Sequence, residues 1–125
     1  ASAAGQPTFE YRFSYVPSSI RKDVAGALHA SEIPFVFDTV SARYGKELAP
    51  ADKKIAETAN AYWVAFAKTG NPNSPGAPVW EPVTPASSRY MHLYADAHTT
   101  DFTPLENKTK DAGVASARRI WGQEK

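Results

Sequence analysis

The sequence predicts an α/β chain that does not complete a fold by itself, and three features predict it. Residues 8–16 (TFEYRFSYV) put Phe9, Tyr11, Phe13 and Tyr15 on one face and Thr8, Glu10, Arg12 and Ser14 on the other, the period-two pattern of a strand. Residues 51–68 carry Ile55, Ala59, Tyr62, Trp63 and Phe66 at helical spacing, the apolar stripe of an amphipathic helix. Beyond these, the pattern yields one further strand and one weaker helix, too few to surround a sheet. An aromatic strand face needs sheet neighbours and a covering layer, because a single strand or hairpin is not stable in water.

In chain order, residues 1–7 have neither a positive n-region nor an apolar h-region, so they do not read as a signal peptide but as a linker, a boundary or the product of a cut. The aromatic strand follows and is broken by Pro17-Ser-Ser. A loop then runs through Gly26 to His29, and residues 32–40, dense in aromatics but interrupted by Pro34, read as a short helical turn or irregular buried segment.

The helix at 51–68 has the clearest ends. Pro50 stands where a first-turn proline is tolerated, Asp52 places an anion near the positive helix end, and Gly70 supplies a left-handed stop. Lys53, Lys54, Glu57, Asn60 and Lys68 are expected to face water, and the aromatic stripe is expected to be core rather than a ligand platform. The proline-rich stretch that follows reads as surface loops. A second strand is expected at 89–94, with Met91 and Leu93 alternating against Tyr90, His92 and Tyr94. From 104 to 121 a weaker helix is expected, with Gly113 in its middle costing about 1 kcal/mol relative to alanine.

Composition bounds the function without naming it. The 125 residues are 42% hydrophobic and 22% charged, ordinary for a globular protein, and the net charge of +1 offers no electrostatic reason for nucleic acid or an anionic membrane as partner. No apolar run approaches the roughly 18 to 20 residues that span a bilayer. With no cysteine there is neither a disulfide framework nor a thiolate nucleophile, and the compartment, secreted or periplasmic included, stays open. No cofactor motif is present.

The run from Gly26 to Phe37 (GALHASEIPFVF) is the most informative stretch. His29 lies on a loop after a strand, where reactive groups are held by a rigid scaffold, and an imidazole can accept and return a proton near neutral pH. Yet no glycine of the chain opens a G-x-S-x-G serine elbow. His29 therefore acts on something outside the chain or does no chemistry. Glu32, three residues on, has the spacing of a side-chain neighbour on a helical turn. A metal site is disfavoured, since these two are the only ligand-type residues that cluster and structural sites normally need about four. Phe35 and Phe37 are candidates for lining a pocket, with packing their commoner use, and His92 and His98, outside any motif, are expected to face solvent.

Together, GALHASEIPFVF and residues 59–73 (ANAYWVAFAKTGNPN) resemble the C-terminal part of type-B carboxylesterases, the cholinesterase-like branch of the α/β-hydrolase fold. The aromatic strand resembles the family's late sheet strand. Trp80 falls where a tryptophan commonly follows the Gly-Asn-Pro-Asn turn, and Arg118 with Trp121 resembles the family's terminal helix. Ala30 departs from the glycine often found there, and Trp80-Glu-Pro from the more frequent Trp-Pro.

What the resemblance implies is specific. His29 would be the general base of a Ser-His-Asp/Glu triad hydrolysing a small carboxylic ester. The serine, the acid and the oxyanion-hole amides would belong to an N-terminal portion of the same domain, so residues 1–125 alone would be inactive. Glu32 would then be support for the histidine or buried structure, not its acid. The alternative is a non-catalytic, cholinesterase-like adhesion or binding protein that keeps the fold.

Overall fold

The computed structural model describes residues 4–87, 89–94 and 97–101. Its strands are β1 (Tyr11–Phe13), β2 (Arg89–Leu93) and β3 (Ala97–Asp101), and its helices α1 (Ile33–Val36), α2 (Val40–Tyr44) and α3 (Pro50–Thr69). Short 3-10 turns occupy Ser18–Ile20 and Gly45–Glu47. The sheet order is β1-β2-β3, with β1 parallel and β3 antiparallel to β2. Parallel neighbours require a crossover connection, and among the described residues every helix lies within it.

β1 is shorter than its sequence pattern because only its middle meets a partner strand: Tyr11, Arg12 and Phe13 stand opposite Met91, His92 and Leu93. On either side, Met91 N–H donates to the Glu10 carbonyl and Ser14 N–H to that of Leu93, both at 2.9 Å, while Thr8 bridges Val83. The alternation nevertheless holds from Phe9 to Tyr15. Phe9 meets Phe66 and Trp80, Tyr11 meets Trp63 and Trp80, and Phe13 and Tyr15 meet Phe35, so the whole aromatic face turns toward the helices. In β2 the same rule buries Met91 and Leu93 on the helix side and groups the rings of Tyr90, His92 and Tyr94 on the other.

α3 begins with Pro50 and ends at Gly70, whose φ of 75° is the left-handed stop read from the sequence; its N–H returns to the Phe66 carbonyl at 2.7 Å. The buried stripe starts a turn earlier than expected, at Asp52, and runs through Ile55, Ala56, Ala59 and Tyr62. Trp63 is half-buried and Phe66 is 46% exposed, because the sheet face ends at Phe9 and leaves the last turn of the stripe overhanging. Asn60 does not face water: it is half-buried, and its Nδ2 donates to the Val36 carbonyl at 2.8 Å.

Where residues 32–40 read as a helical turn or irregular segment, the structure has α1, with Pro34 in its first turn, and then α2. Asp38, at φ 53°, turns the chain between them, and Phe35 is fully buried against Phe13, Tyr15 and Tyr44. β3 went unforeseen; its backbone pairing with β2 rests on no alternating apolar pattern. The expected helix at 104–121, with Arg118 and Trp121, lies outside the described residues.

The Gly-Asn-Pro-Asn turn has a structural role. Asn71 Oδ1 accepts from the Asn73 backbone at 2.9 Å, which presents the Asn73 amide to the backbone of Trp80 through two hydrogen bonds of 2.6 and 2.8 Å. Trp80 is thereby seated in the core beside Phe9, Tyr11, Tyr62 and Trp63, and its indole N–H donates to the Glu10 carbonyl at 2.9 Å.

Candidate functional site

The segment from Ser14 to Glu32 leaves β1, makes the 3-10 turn at Ser18–Ile20 and brings His29 to the surface just before α1. His29 sits in a turn in which Ser31 N–H donates to the Leu28 carbonyl at 3.1 Å and Ile33 N–H to that of Ala30 at 3.3 Å. Its side chain is exposed, and among the described residues it has no hydrogen-bond or ion-pair partner. Beside it lies a concavity of about 360 Å³, to which Tyr15, Ser31, Pro34, Arg43, Tyr44 and Glu47 contribute.

Ala30 makes the turn at a φ of 61°, the left-handed region that a Cβ disfavours by roughly 1–2 kcal/mol. This gives a physical reason for glycine at that position. Ala30→Gly is expected to relieve the strain and, after the extra freedom glycine gives the unfolded chain, to stabilise by about 0.5–1 kcal/mol. A denaturation midpoint that falls in Ala30→Gly would contradict this.

Glu32 is half-buried and starts α1, its backbone carbonyl accepting from the N–H groups of Phe35 and Val36, each at 2.9 Å. Its charge acts on β1: burial foremost, and the Glu32 carboxylate second, push the Tyr11 hydroxyl above its usual range. Phe35 and Phe37 separate. Phe35 is core, which corrects its reading as a pocket residue, because a ring with no exposed surface has none to offer a ligand; Phe37 is 69% exposed. Neither lines the concavity beside His29. His92 departs from the solvent-facing expectation: it is half-buried, with Nε2 3.0 Å from Ser14 Oγ. The side chain of His98 lies outside the described residues.

Sequence reasoning undervalued Asp52. An acid in the first turn of a helix normally faces water, yet this one is fully buried. Its Oδ2 accepts the Ala49 N–H at 2.8 Å and its Oδ1 accepts the Tyr15 hydroxyl at 2.5 Å, with Ser18 N–H and Oγ at 3.3 and 3.4 Å. Burial first, then the hydrogen bond to Asp52 and its charge, push the Tyr15 hydroxyl up to about 12, with Arg21 opposing, so Tyr15 is a neutral donor at ordinary pH. No local pattern signals this, because Tyr15 and Ser18 lie more than thirty residues from Asp52 and meet it only in the folded chain. Among the described residues no three His, Cys, Asp or Glu side chains group as metal ligands, and no helix is long and apolar enough to cross a membrane.

Comparison with known proteins agrees with this arrangement. The profile of the carboxylesterase family matches residues 1–112. Liver carboxylesterase 1 of Oryctolagus cuniculus is 32% identical over 125 residues, covering 97% of this chain and 20% of that protein. The acylcarnitine hydrolase of Rattus norvegicus is 34% identical over 90 residues, covering 70% of this chain and 16% of that protein. Among solved structures, a PNB esterase superposes with a TM-score of 0.70 at 29% identity, over 88% of this chain and 23% of its own. The chain thus spans a fifth or less of these two curated relatives. Its strands and helices correspond to part of an α/β-hydrolase fold. With the histidine turn, the Asn-Pro-Asn clamp and the aromatic strand all falling within residues 1–112, this chain belongs to the carboxylesterase family.

Proposed function

We propose that this chain supplies the general base for carboxylic-ester hydrolysis, with His29 as the histidine of a Ser-His-Asp/Glu triad. The observation that carries the reading is an exposed imidazole on the turn after β1, in a carboxylesterase-family chain that has no serine elbow of its own. The serine and the acid come from an N-terminal portion of the same α/β-hydrolase domain, of which residues 1–125 are the C-terminal segment. Support comes from the surface this chain leaves open. Leu28, Ile33 and Phe37, flanking His29 along the sequence, are 59%, 49% and 69% exposed, and among the described residues β1 pairs on one side only. Exposed apolar groups and an open strand edge are each what a further part of a domain would cover.

The chemistry follows from the imidazole. His29 takes the serine proton as the serine oxygen attacks the ester carbonyl, then returns it to the leaving alcohol, giving an acyl-serine. In the second half it takes a proton from water, whose oxygen attacks the acyl carbonyl, and returns that proton to the serine. The acid orients the ring and stabilises the imidazolium, while Glu32, through the start of α1, supports the turn.

The isolated chain is expected to show no ester turnover above the background of free imidazole, and activity is expected to appear only with the N-terminal portion. Robust ester hydrolysis by residues 1–125 that persists in His29→Ala would overturn the reading. An N-terminal portion without a nucleophilic serine would favour the adhesion or binding protein instead.

A further inference from the structure

We infer that Asp52 and Asn60 of α3 are positioning residues that fix His29 by holding both feet of its loop. The inference rests on the general-base reading of His29. At the incoming foot, Asp52 Oδ1 gathers the Tyr15 hydroxyl at 2.5 Å and the Ser18 N–H and Oγ at 3.3 and 3.4 Å. At the outgoing foot, Asn60 Nδ2 donates to the carbonyl of Val36, the last residue of α1, at 2.8 Å. Between these anchors Arg21 Nη2 donates back to the Val16 carbonyl at 2.9 Å, and the Phe35 ring lies 5.1 and 5.6 Å from those of Phe13 and Tyr15.

Capping alone does not account for Asp52. An exposed Ser, Thr or Asp satisfies a helix start with its side chain in water, whereas burying a carboxylate is costly unless donors surround it. Asp52 is fully buried, and apart from the Ala49 N–H every donor it holds belongs to the end of the aromatic strand or the start of the His29 loop. Asn60, two turns along the same helix, spends a polar group in a half-buried position on the far foot. α3 is a helix of 20 residues lying against the sheet, so it provides a rigid reference for a loop that is otherwise exposed. A general base must stay within about 0.5 Å of its productive position, and such placement comes from surrounding hydrogen bonds.

The test uses the complete esterase. Asp52→Asn risks misfolding, so the informative variants are Tyr15→Phe, which removes one hydroxyl from the clamp, and Asn60→Ala, which keeps a strong helix former in α3. Each is made alone and on a His29→Ala background. Each single variant is expected to lower kcat by roughly 10- to 100-fold, since a misplacement near 1 Å costs about that much, with KM little changed. On the His29→Ala background the same substitutions are expected to leave the residual rate unchanged, because the group they position is gone. A purely structural role would reduce the folded fraction, and so the rate, equally in both backgrounds. That outcome, or an unchanged kcat in the single variants, overturns the inference while leaving the role of His29 intact. If His29→Ala itself leaves kcat unaffected, the general-base reading fails and this inference with it.

Discussion

Replacing His29 by alanine in the complete protein is expected, on the general-base reading, to lower kcat for a simple ester by about 10⁴-fold or more. On the proposed reading the imidazole both removes the serine proton and protonates the leaving alcohol, so without it both transfers would fall to water and the neutral serine would be a poor nucleophile. KM is expected to move little, since the ring acts in the transition state and not in ground-state binding. The fold is expected to persist, because among the described residues nothing depends on the His29 side chain for a hydrogen bond or ion pair. Steady-state kinetics with a simple ester, beside a thermal melt of the same preparation, separates the two. A loss of less than 10-fold by the usual free-energy reading would remove His29 from the chemistry.

The second large effect is structural. Trp80→Ala is expected to destabilise the protein by about 3–5 kcal/mol, the usual range for truncating a buried large aromatic. Trp80 is 4% exposed and stands among the rings of Phe9, Tyr11, Tyr62 and Trp63, where it joins the aromatic strand to α3. Its truncation opens a cavity at that junction and leaves the Glu10 carbonyl without its indole donor. Against a whole-domain stability of about 5–15 kcal/mol, this is a large fraction. Trp80→Phe, which keeps most of the packing, is expected to cost less. Chemical denaturation of both variants checks the order, and a Trp80→Ala midpoint equal to the parent's would contradict the central place given to this ring.

The parts legible in the sequence were those with a strong local signal. Alternating aromatics from Phe9 to Tyr15, the stripe of α3 and the stop at Gly70 each declare a geometry through period or backbone preference, and each was found. What escaped depends on where distant segments meet. Asn60 looks like a solvent residue until α1 lays the Val36 carbonyl over it, and Asp52 looks like a routine first-turn acid until Tyr15 and Ser18 close on it. Phe35 could not be assigned between pocket and core without knowing that α1 packs inward against β1. β3 carries no apolar period, because it is held by backbone pairing with β2.

The site was legible to a different degree. His29 was singled out from its loop and its chemistry, and the family resemblance gave it a role; the left-handed turn at Ala30 and the clamps on either foot were beyond the reach of the pattern. The only hint of the backbone at Ala30 was the glycine often found there in the family it resembles; the alanine itself gives no sign of a positive φ.

On the proposed reading His29 activates a serine lying outside these residues. Treating the complete protein with a phosphonylating reagent that forms a covalent adduct with an activated serine, and locating the adduct by peptide mass spectrometry, tests it directly. The predicted result is an adduct on a serine N-terminal to Ala1, formed rapidly in the parent and strongly slowed in His29→Ala. An adduct on a serine within residues 1–125, or labelling at the same rate without His29, would rule that activation out.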